Sequence, residues 1–477
     1  MSLVRRLVFL NLVTVLAWMS VSLLPFGQQP TTPSEVQFVD IAQKAGLTEP
    51  TVNGGTKAKK YIFESTGSGV AAFDYNNDGN TDIFIVNGAR LETIPAETAP
   101  TNHLYENQRD GTFADVTAKS GLAHSGWGQG VCVGDIDNDG NREILVTYYG
   151  QSNVLYRDNG KHRFDDVTAL AGVGGGPKNW SSGCTFVDYD GDGFLDLFVA
   201  GYVELDLAKA PLPGDNKYCL WRGVAVFCGP RGLLAAKNYL YRNNRDGTFR
   251  DVSVKAGIRS TGPCYALSTI AADLRNIGRP DIYVACDSTP SLLFQNSGDG
   301  TFREIGTEAG VAFNPDGFVQ AGMGVSVGDY DRDGWLDIFK TNFEDDIPDL
   351  FRNSGKTFSF QSYDAKLGFH LKALSWGGGF FDYDNDGWLD LFIANGHVYP
   401  EPELQGLGGG YKQRQLLYHN RRDGTFDDVT KMAGSGLELL RSGRGVAFAD
   451  FDNDGDLDLV INNQNDPPTL LRNDGGN

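Results

Sequence analysis

The chain has 477 residues, with 40% apolar content and 61 glycines. Lys and Arg number 41 against 61 Asp and Glu, a formal net charge of −20. No basic stripe appears, so the balance argues against nucleic acid as a partner; the 29 Phe supply a sizeable core, and the glycines suit many short strands joined by tight turns.

The first 26 residues differ in kind from the rest. Arg5 and Arg6 precede an apolar run from Leu7 to Leu24, which reads as a secretory signal or as an uncleaved membrane anchor. Either reading places the remaining chain outside the cytoplasm, secreted, extracellular or periplasmic. Six cysteines then become candidate disulfides. Cys219 and Cys228 flank a short segment and are expected to staple an insertion over 203–236. Cys264 and Cys286 make a weaker pair. Cys132 and Cys184 sit in equivalent inner strands and are expected as buried free thiols.

Residues 27–477 read as one domain built on an internal repeat. Seven acidic loops, D-x-D-x-D-G-x-x-D or a decayed form, begin at Asp74, Asp135, Asp188, Asp273, Asp329, Asp382 and Asp450. The period is roughly 50–85 residues, a range that implies a repeat architecture. An apolar strand precedes each loop and a second one follows it. Then comes L-[YF]-x-N or a near form, at Leu104, Leu155, Leu240, Leu293, Leu350, Leu417 and Leu470. Four units continue into D-G-T-F, at Asp110, Asp246, Asp299 and Asp423, a strong hairpin signal. Four antiparallel strands in each of seven units, with no helical period, predict an all-β, seven-bladed β-propeller. The last unit stops before its fourth strand, and Phe38–Leu47 is a fourth strand without a preceding three. Val36–Ala42 is therefore expected to complete the last blade and close the ring.

The loops carry the metal chemistry. In Asp188-Tyr-Asp190-Gly-Asp192-Gly193-Phe194-Leu-Asp196 the side chains at positions one, three and five converge. Gly at six allows the sharp turn, position seven offers a carbonyl, and Asp at nine completes an oxygen cage for Ca²⁺. A strand follows instead of the EF-hand helix. Six copies have this form: Asp74, Asn76, Asp78 and Asp82; Asp135, Asp137, Asp139 and Glu143; Asp188, Asp190, Asp192 and Asp196; Asp329, Asp331, Asp333 and Asp337; Asp382, Asp384, Asp386 and Asp390; Asp450, Asp452, Asp454 and Asp458. Blade four is decayed: Arg275 puts a cation where a ligand belongs, so no metal is expected at Asp273–Asp281. With no His or Cys within the loops, transition metals are disfavoured, and about six structural Ca²⁺ ions are expected.

The loops, L-[YF]-x-N and D-G-T-F together resemble the FG-GAP/VCBS repeat family, including integrin α-subunit propellers. Phe63-Glu-Ser-Thr-Gly-Ser-Gly-Val70, Cys228-Gly-Pro-Arg-Gly-Leu233, Gly322-Met-Gly-Val325 and Asn395-Gly-His-Val-Tyr-Pro400 bring the resemblance nearer to secreted propellers of the cartilage acidic protein and ASPIC/UnbV-type group. The resemblance covers residues 36 to 477. That group often carries a further C-terminal ASPIC/UnbV domain, which this sequence lacks, so no role of that domain transfers. The resemblance implies extracellular Ca²⁺ binding and interaction and no defined reaction.

Strand alternation puts the acidic loops and D-G-T-F turns on one face and the long insertions Asn87–Thr101, Tyr202–Lys237 and Gly396–Gln413 on the other. Trp127, Trp180 and Tyr265, with Trp376 nearby, are expected around the channel mouth on that second face. They read as a ligand rim or as core packing between blades. Trp221 and Arg222 form a second candidate patch in the stapled insertion. The leading function is a Ca²⁺-rigidified binding or adhesion module for an extracellular carbohydrate or protein partner, expected to be a monomer. The alternative is an extracellular polysaccharide lyase or hydrolase at the channel mouth, for which Glu64, Arg441 and Arg444 are the charged candidates.

Overall fold

A computed structural model describes residues 36–475 except 93, 177–179, 402–403 and 405. The apolar run from Leu7 to Leu24 lies outside the described residues. Among those described, no helix is long and apolar enough to cross a membrane.

Seven four-stranded antiparallel sheets surround a central channel, one for each repeat. Blade one shows the pattern. Its strands are Val70–Phe73, Asp82–Ile85, His103–Asn107 and Phe113–Asp115, paired in that order. The acidic loop joins the first two strands. The last two are joined by the turn at Asp110-Gly-Thr, where Gly111 adopts φ +80°. Blade seven takes its first three strands from Gly443–Ala449, Asp458–Asn463 and Thr469–Asn473. Its fourth is Phe38–Asp40, paired antiparallel to Thr469–Asn473 with Phe38 opposite Asn473. The ring closes as the incomplete last unit required.

The core lies between blades. Each of the seven blade-to-blade interfaces holds its own buried apolar cluster. Alternate residues of each second strand explain this, since they point to opposite faces and feed the two flanking interfaces. Ile83 and Ile85 face blade seven, whereas Phe84 and Val86 face blade two. At the channel wall the innermost strands approach backbone to backbone. A Cβ on Gly377 would stand 2.4 Å from the Arg444 carbonyl oxygen, and one on Gly324 would stand 2.2 Å from that of Trp376, so neither position admits a side chain.

The same close approach corrects the reading of two cysteines. Cys132 and Cys184 form a disulfide with Cα atoms 5.8 Å apart. They belong to the inner strands of blades two and three, Trp127–Gly134 and Ser181–Val187, which run side by side around the channel. Cys132 stands three residues before its loop Asp135 and Cys184 four before Asp188, so this one-residue offset turns the two side chains toward each other across neighbouring strands, within disulfide reach. Cys264–Cys286 and Cys219–Cys228 are also bonded, with Cα separations of 5.5 and 3.9 Å.

The insertion after the second strand of blade three has a base ladder, Val203–Glu204 with Leu234–Ala235. Its tip is a hairpin, Leu220–Trp221 with Val224–Ala225, turned at Arg222 and Gly223. Both turn residues have positive φ, as a two-residue primed turn requires. The Cys219–Cys228 disulfide brackets this hairpin.

Candidate metal loops and the channel-mouth site

All seven acidic loops share one backbone framework. The first Asp caps the loop: one oxygen of Asp329 accepts from the N–H of Asp333 (3.0 Å), the other from that of Gly334 (2.9 Å). Position four takes a left-handed conformation in every copy, at Asn77, Asn138, Gly191, Asn276, Arg332, Asn385 and Asn453. Asn and Gly tolerate that region best, which explains their abundance there. The ninth residue is deeply buried. Asp196 accepts from the Tyr189 N–H (3.2 Å) and from the Asn243 N–H (2.8 Å), tying its loop to the third strand.

The third residue of the loop is different. Oδ1 of Asp137, Asp190, Asp331 and Asp384 is buried with no hydrogen-bond partner. In blades two, three and six, carboxylate oxygens from positions one, three and nine lie within 4.8 Å of one another; in blade five those of positions one, three and five do. Burial, reinforced by the neighbouring carboxylates, pushes the ninth residues up, Asp82, Asp196 and Asp458 to about 7, Asp337 and Glu143 to about 8 and Asp390 to about 6. Orphaned buried oxygens beside other carboxylates fit a hard cation. Positions one, three, five and nine would hold it, and it would supply the positive charge that the cluster lacks. Glu143 keeps the contact to the position-two N–H (Ile136, 2.9 Å) but leaves Oε1 without a partner.

The residue between the aromatic and the asparagine of L-[YF]-x-N also faces the loop. Arg242 Nε lies 2.7 Å from Asp190, Arg352 Nη2 lies 2.7 Å from Asp333, and Arg157 pairs with Asp137. In blade six this residue is His419, with Nδ1 3.4 Å from both Asp384 and Asp390. The expectation that no histidine joins a loop therefore fails in blade six, because the imidazole arrives from the third strand, 29 residues beyond Asp390. Blade four follows its sequence. Arg275 donates to both oxygens of Asp281 (2.9 and 2.8 Å) and to the Asn296 carbonyl (2.8 Å), so a guanidinium fills the role of the cation.

Sequence reasoning missed a ring of bonds between blades. The asparagine that ends each third strand donates Nδ2 to the position-two carbonyl of the preceding blade's loop. Asn107 reaches Phe451 (2.7 Å), Asn243 reaches Ile136 (2.8 Å), Asn296 reaches Tyr189 (2.7 Å) and Asn353 reaches Leu274 (2.8 Å). Asn420 reaches Tyr330 (2.9 Å) and Asn473 reaches Tyr383 (2.8 Å). Blade two has Asp158 at this position. Its Oδ2 is buried and unpartnered. The repeated asparagine was visible in sequence, but its partner in the neighbouring repeat was not.

On the opposite face the candidate rim aromatics join one apolar cluster. Phe63 lies over Tyr149, Trp127 and Trp180, with centroids 4.3, 4.6 and 6.3 Å away. Trp180 has no exposed surface, and its indole N–H donates to Gln129 (3.1 Å). Tyr265 is also buried, with its hydroxyl donating to the Leu233 carbonyl (2.8 Å). Trp180 and Tyr265 are thus packing residues, because the turn at 63–66 and the stapled insertion fold over them, and Trp127 packs, partly buried, against the same cluster. Trp376 and Trp221 instead line a cavity of about 390 Å³ beside the channel mouth. Arg222 secures the hairpin there, 2.8 Å from Glu344 and 3.1 Å from Asp345.

The charged groups considered for catalysis serve structure. The Glu64 carboxylate accepts from the N–H groups of Gly55 (3.0 Å), Lys60 (2.7 Å) and Tyr61 (2.8 Å). Arg444 is buried over Trp376, 4.2 Å from the ring centroid, and donates to the carbonyls of Ser65, Gly396, Gly443 and His397. The Arg441 guanidinium donates to the Leu440 carbonyl (3.1 Å). Lys59 is buried beside them and donates to the carbonyls of Asn53 (2.6 Å) and Glu64 (2.5 Å). Burial, then the nearby Arg444, pull its pKa down to about 7.

A ring of seven blades fastened by acidic hairpin loops defines a class, and sequence comparison agrees. Segments 74–146, 135–199, 273–339 and 406–461 match the FG-GAP-like repeat, and the chain belongs to that family. It is 26% identical over 422 residues to cartilage acidic protein 1 of Homo sapiens, covering 82% of this chain and 55% of that protein. Against cartilage acidic protein 1 of Xenopus tropicalis it is 25% identical over 421 residues, covering 82% and 57%. The chain thus spans little more than half the length of these relatives. Among solved structures it is similar to an Agrocybe aegerita protein described as recognising non-reducing terminal N-acetylglucosamine, with a TM-score of 0.41 and 17% identity over 76% of this chain and 79% of that one. A likeness of that size carries no argument about ligands.

Proposed function

We propose that the protein is an extracellular binding module, stiffened by calcium in its acidic loops, that takes a carbohydrate or protein partner on its insertion face. The observation that carries the metal half is the buried, unpartnered Oδ1 of Asp137, Asp190, Asp331 and Asp384. Leaving several carboxylate oxygens buried without a cation is costly, and Ca²⁺ supplies the charge and the oxygen coordination they lack. Three disulfides support an oxidising compartment, secreted or periplasmic, where calcium is abundant. The partner half rests on asymmetry. The loop face repeats seven times, whereas the insertions give the other face a single shape, and recognition usually resides on such loops over a rigid scaffold.

Two measurements test this reading. Calorimetric titration of the chelated protein should show several Ca²⁺ sites, and an absence of binding at millimolar Ca²⁺ would sink the metal assignment. Glycan and ectodomain arrays probed with the calcium-loaded protein should yield a partner whose binding drops when residues 206–232 are replaced by a short Gly-Ser turn. Binding that survives this replacement places the partner elsewhere.

A further inference from the structure

The cavity beside the channel mouth gathers sequence segments that the acidic loops do not use. Thr66, Arg231, Met323 and Tyr399 all line it, one from each of the four non-repeating segments singled out in the sequence. The stapled hairpin forms one wall. A disulfide and the Arg222 clamp on Glu344 and Asp345 hold that wall in place, so the cavity is preformed.

Its chemistry is aromatic and acidic. Tyr202, Trp221, Phe343, Trp376 and Tyr399 present rings to it. Two of these already carry a protein cation, Arg444 at 4.2 Å from Trp376 and Arg222 at 5.4 Å from Trp221. Four lining carboxylates, Asp287, Glu344, Asp345 and Asp346, face a single lining cation, Arg231. Three of the four are engaged. Arg222 holds Glu344 and Asp345, and Asp287 accepts from the hydroxyls of Tyr202 (2.6 Å) and Ser288 (2.8 Å). Asp346 bonds the Gln320 side chain but forms no ion pair among the described residues. Lys340, the buried cation near it, is held 2.7 Å from Asp349.

We propose that this cavity receives an organic ammonium group, packed against the aromatic rings with Asp346 as its counter-ion. Ring faces attract cations through their quadrupole, and a half-buried carboxylate that bonds the Gln320 side chain but sits in no ion pair adds charge where solvent screening is reduced. The ammonium could be a lysine side chain, an amino sugar or a quaternary amine. This inference rests on the binding-module reading and names the chemistry of its site.

Isothermal titration of the full, calcium-loaded chain with three matched pairs tests it: choline against 3,3-dimethylbutan-1-ol, Nα-acetyl-lysine amide against Nα-acetyl-norleucine amide, and glucosamine against N-acetylglucosamine. At least one ammonium should bind tenfold or more tightly than its neutral match, and the pair that responds identifies the source. Asp346→Asn should abolish that preference, and Trp221→Leu should weaken the same ligand with the melting temperature retained. Equal binding within every pair, no binding by any ammonium, or an unaltered preference in D346N would overturn the inference. If the arrays still yield a partner lost on replacing residues 206–232, the binding-module reading survives that result; if they yield none, both fall.

Discussion

Replacing Asp158 with asparagine should stabilise the protein. Six blades end their third strand on an asparagine that bonds the preceding blade, and only blade two ends on a carboxylate, which cannot donate. Asp158 Oδ2 is buried with no partner, and Oδ1 accepts from the Gly160 N–H (2.9 Å). Asparagine keeps that second bond through its own Oδ1 and turns Nδ2 toward the Tyr75 carbonyl, the site equivalent to Phe451 or Tyr189 in other blades. The gained hydrogen bond contributes about 1 kcal/mol net, and removing the unsatisfied oxygen adds roughly 1–3 kcal/mol. A total near ~2 kcal/mol follows, after allowance for the partial relaxation a carboxylate can find.

Denaturant midpoints suit this test better than melting temperature. At ~2.1 cal/mol/K per residue, a propeller of this size shifts by only about 1 °C per kcal/mol. D158N should raise the urea midpoint in chelated protein. The reciprocal Asn243→Asp, which places the same orphan in blade three, should lower it by a similar amount. Asp165→Asn, at an exposed neighbouring carboxylate, controls for net charge. A midpoint unmoved or lowered by D158N without calcium refutes the reasoning. A gain in chelator that turns into a loss in calcium would instead make Asp158 a ligand of the blade-two loop, beside the orphaned Glu143 Oε1.

Restoring blade four by Arg275→Asp with Ile277→Asp should lower stability by about 3–5 kcal/mol in chelator, the usual cost of stranding a buried carboxylate such as Asp281, and millimolar Ca²⁺ should recover it with one added calorimetric site; full stability in chelator would show that Arg275 does not replace a cation. Cys132→Ala with Cys184→Ala opens a loop of 52 residues and should cost about 4 kcal/mol in equilibrium unfolding, with the second and third blades losing amide protection first. Lys59 is expected to give a pH signature. Its folded pKa of about 7 lies below the unfolded value of 10.5, so between these values the unfolded chain binds more protons and stability rises with pH. Lys59→Met should remove that rise, which is worth at most about 5 kcal/mol, and parallel pH profiles for the two proteins would contradict the assignment.

What the sequence revealed was what recurs within one repeat. Three alternating carboxylates closed by glycine, L-[YF]-x-N and D-G-T-F each specify a local turn or strand, so blade number, loop face and ring closure followed from spacing. What it hid were contacts between repeats. Cys132 and Cys184 are 52 residues apart, Asn107 and Phe451 are 344 apart, and His419 enters a loop that ends at Asp390. Each residue reads as ordinary in its own strand, and its role appears only when adjacent blades are in contact. Which of the two readings, ligand rim or core packing, fits the rim aromatics was hidden for a related reason. Their register placed Trp127, Trp180 and Tyr265 at the channel mouth, but the residues that cover them come from the turn at 63–66 and from an insertion with no repeat to compare.

The two faces are therefore built on opposite physical terms. On the loop face six of the seven blade interfaces share one bond, asparagine to carbonyl, and several add another from position four. There Asn77 reaches the Gly140 carbonyl (3.2 Å), Asn138 that of Gly193 (2.9 Å) and Asn276 that of Gly334 (2.8 Å). Such a ring leaves little room for one blade to differ without loss, as Asp158 and Arg275 illustrate. At the channel mouth the joins are unique: Arg444 on the carbonyls of two blades, Lys59 in its buried nest, and Arg222 clamping the stapled hairpin to Glu344. Because no symmetric bond constrains that side, an off-axis cavity can form there. Changes to its lining are expected to alter recognition before they alter the fold, whereas changes to the loops should do the reverse.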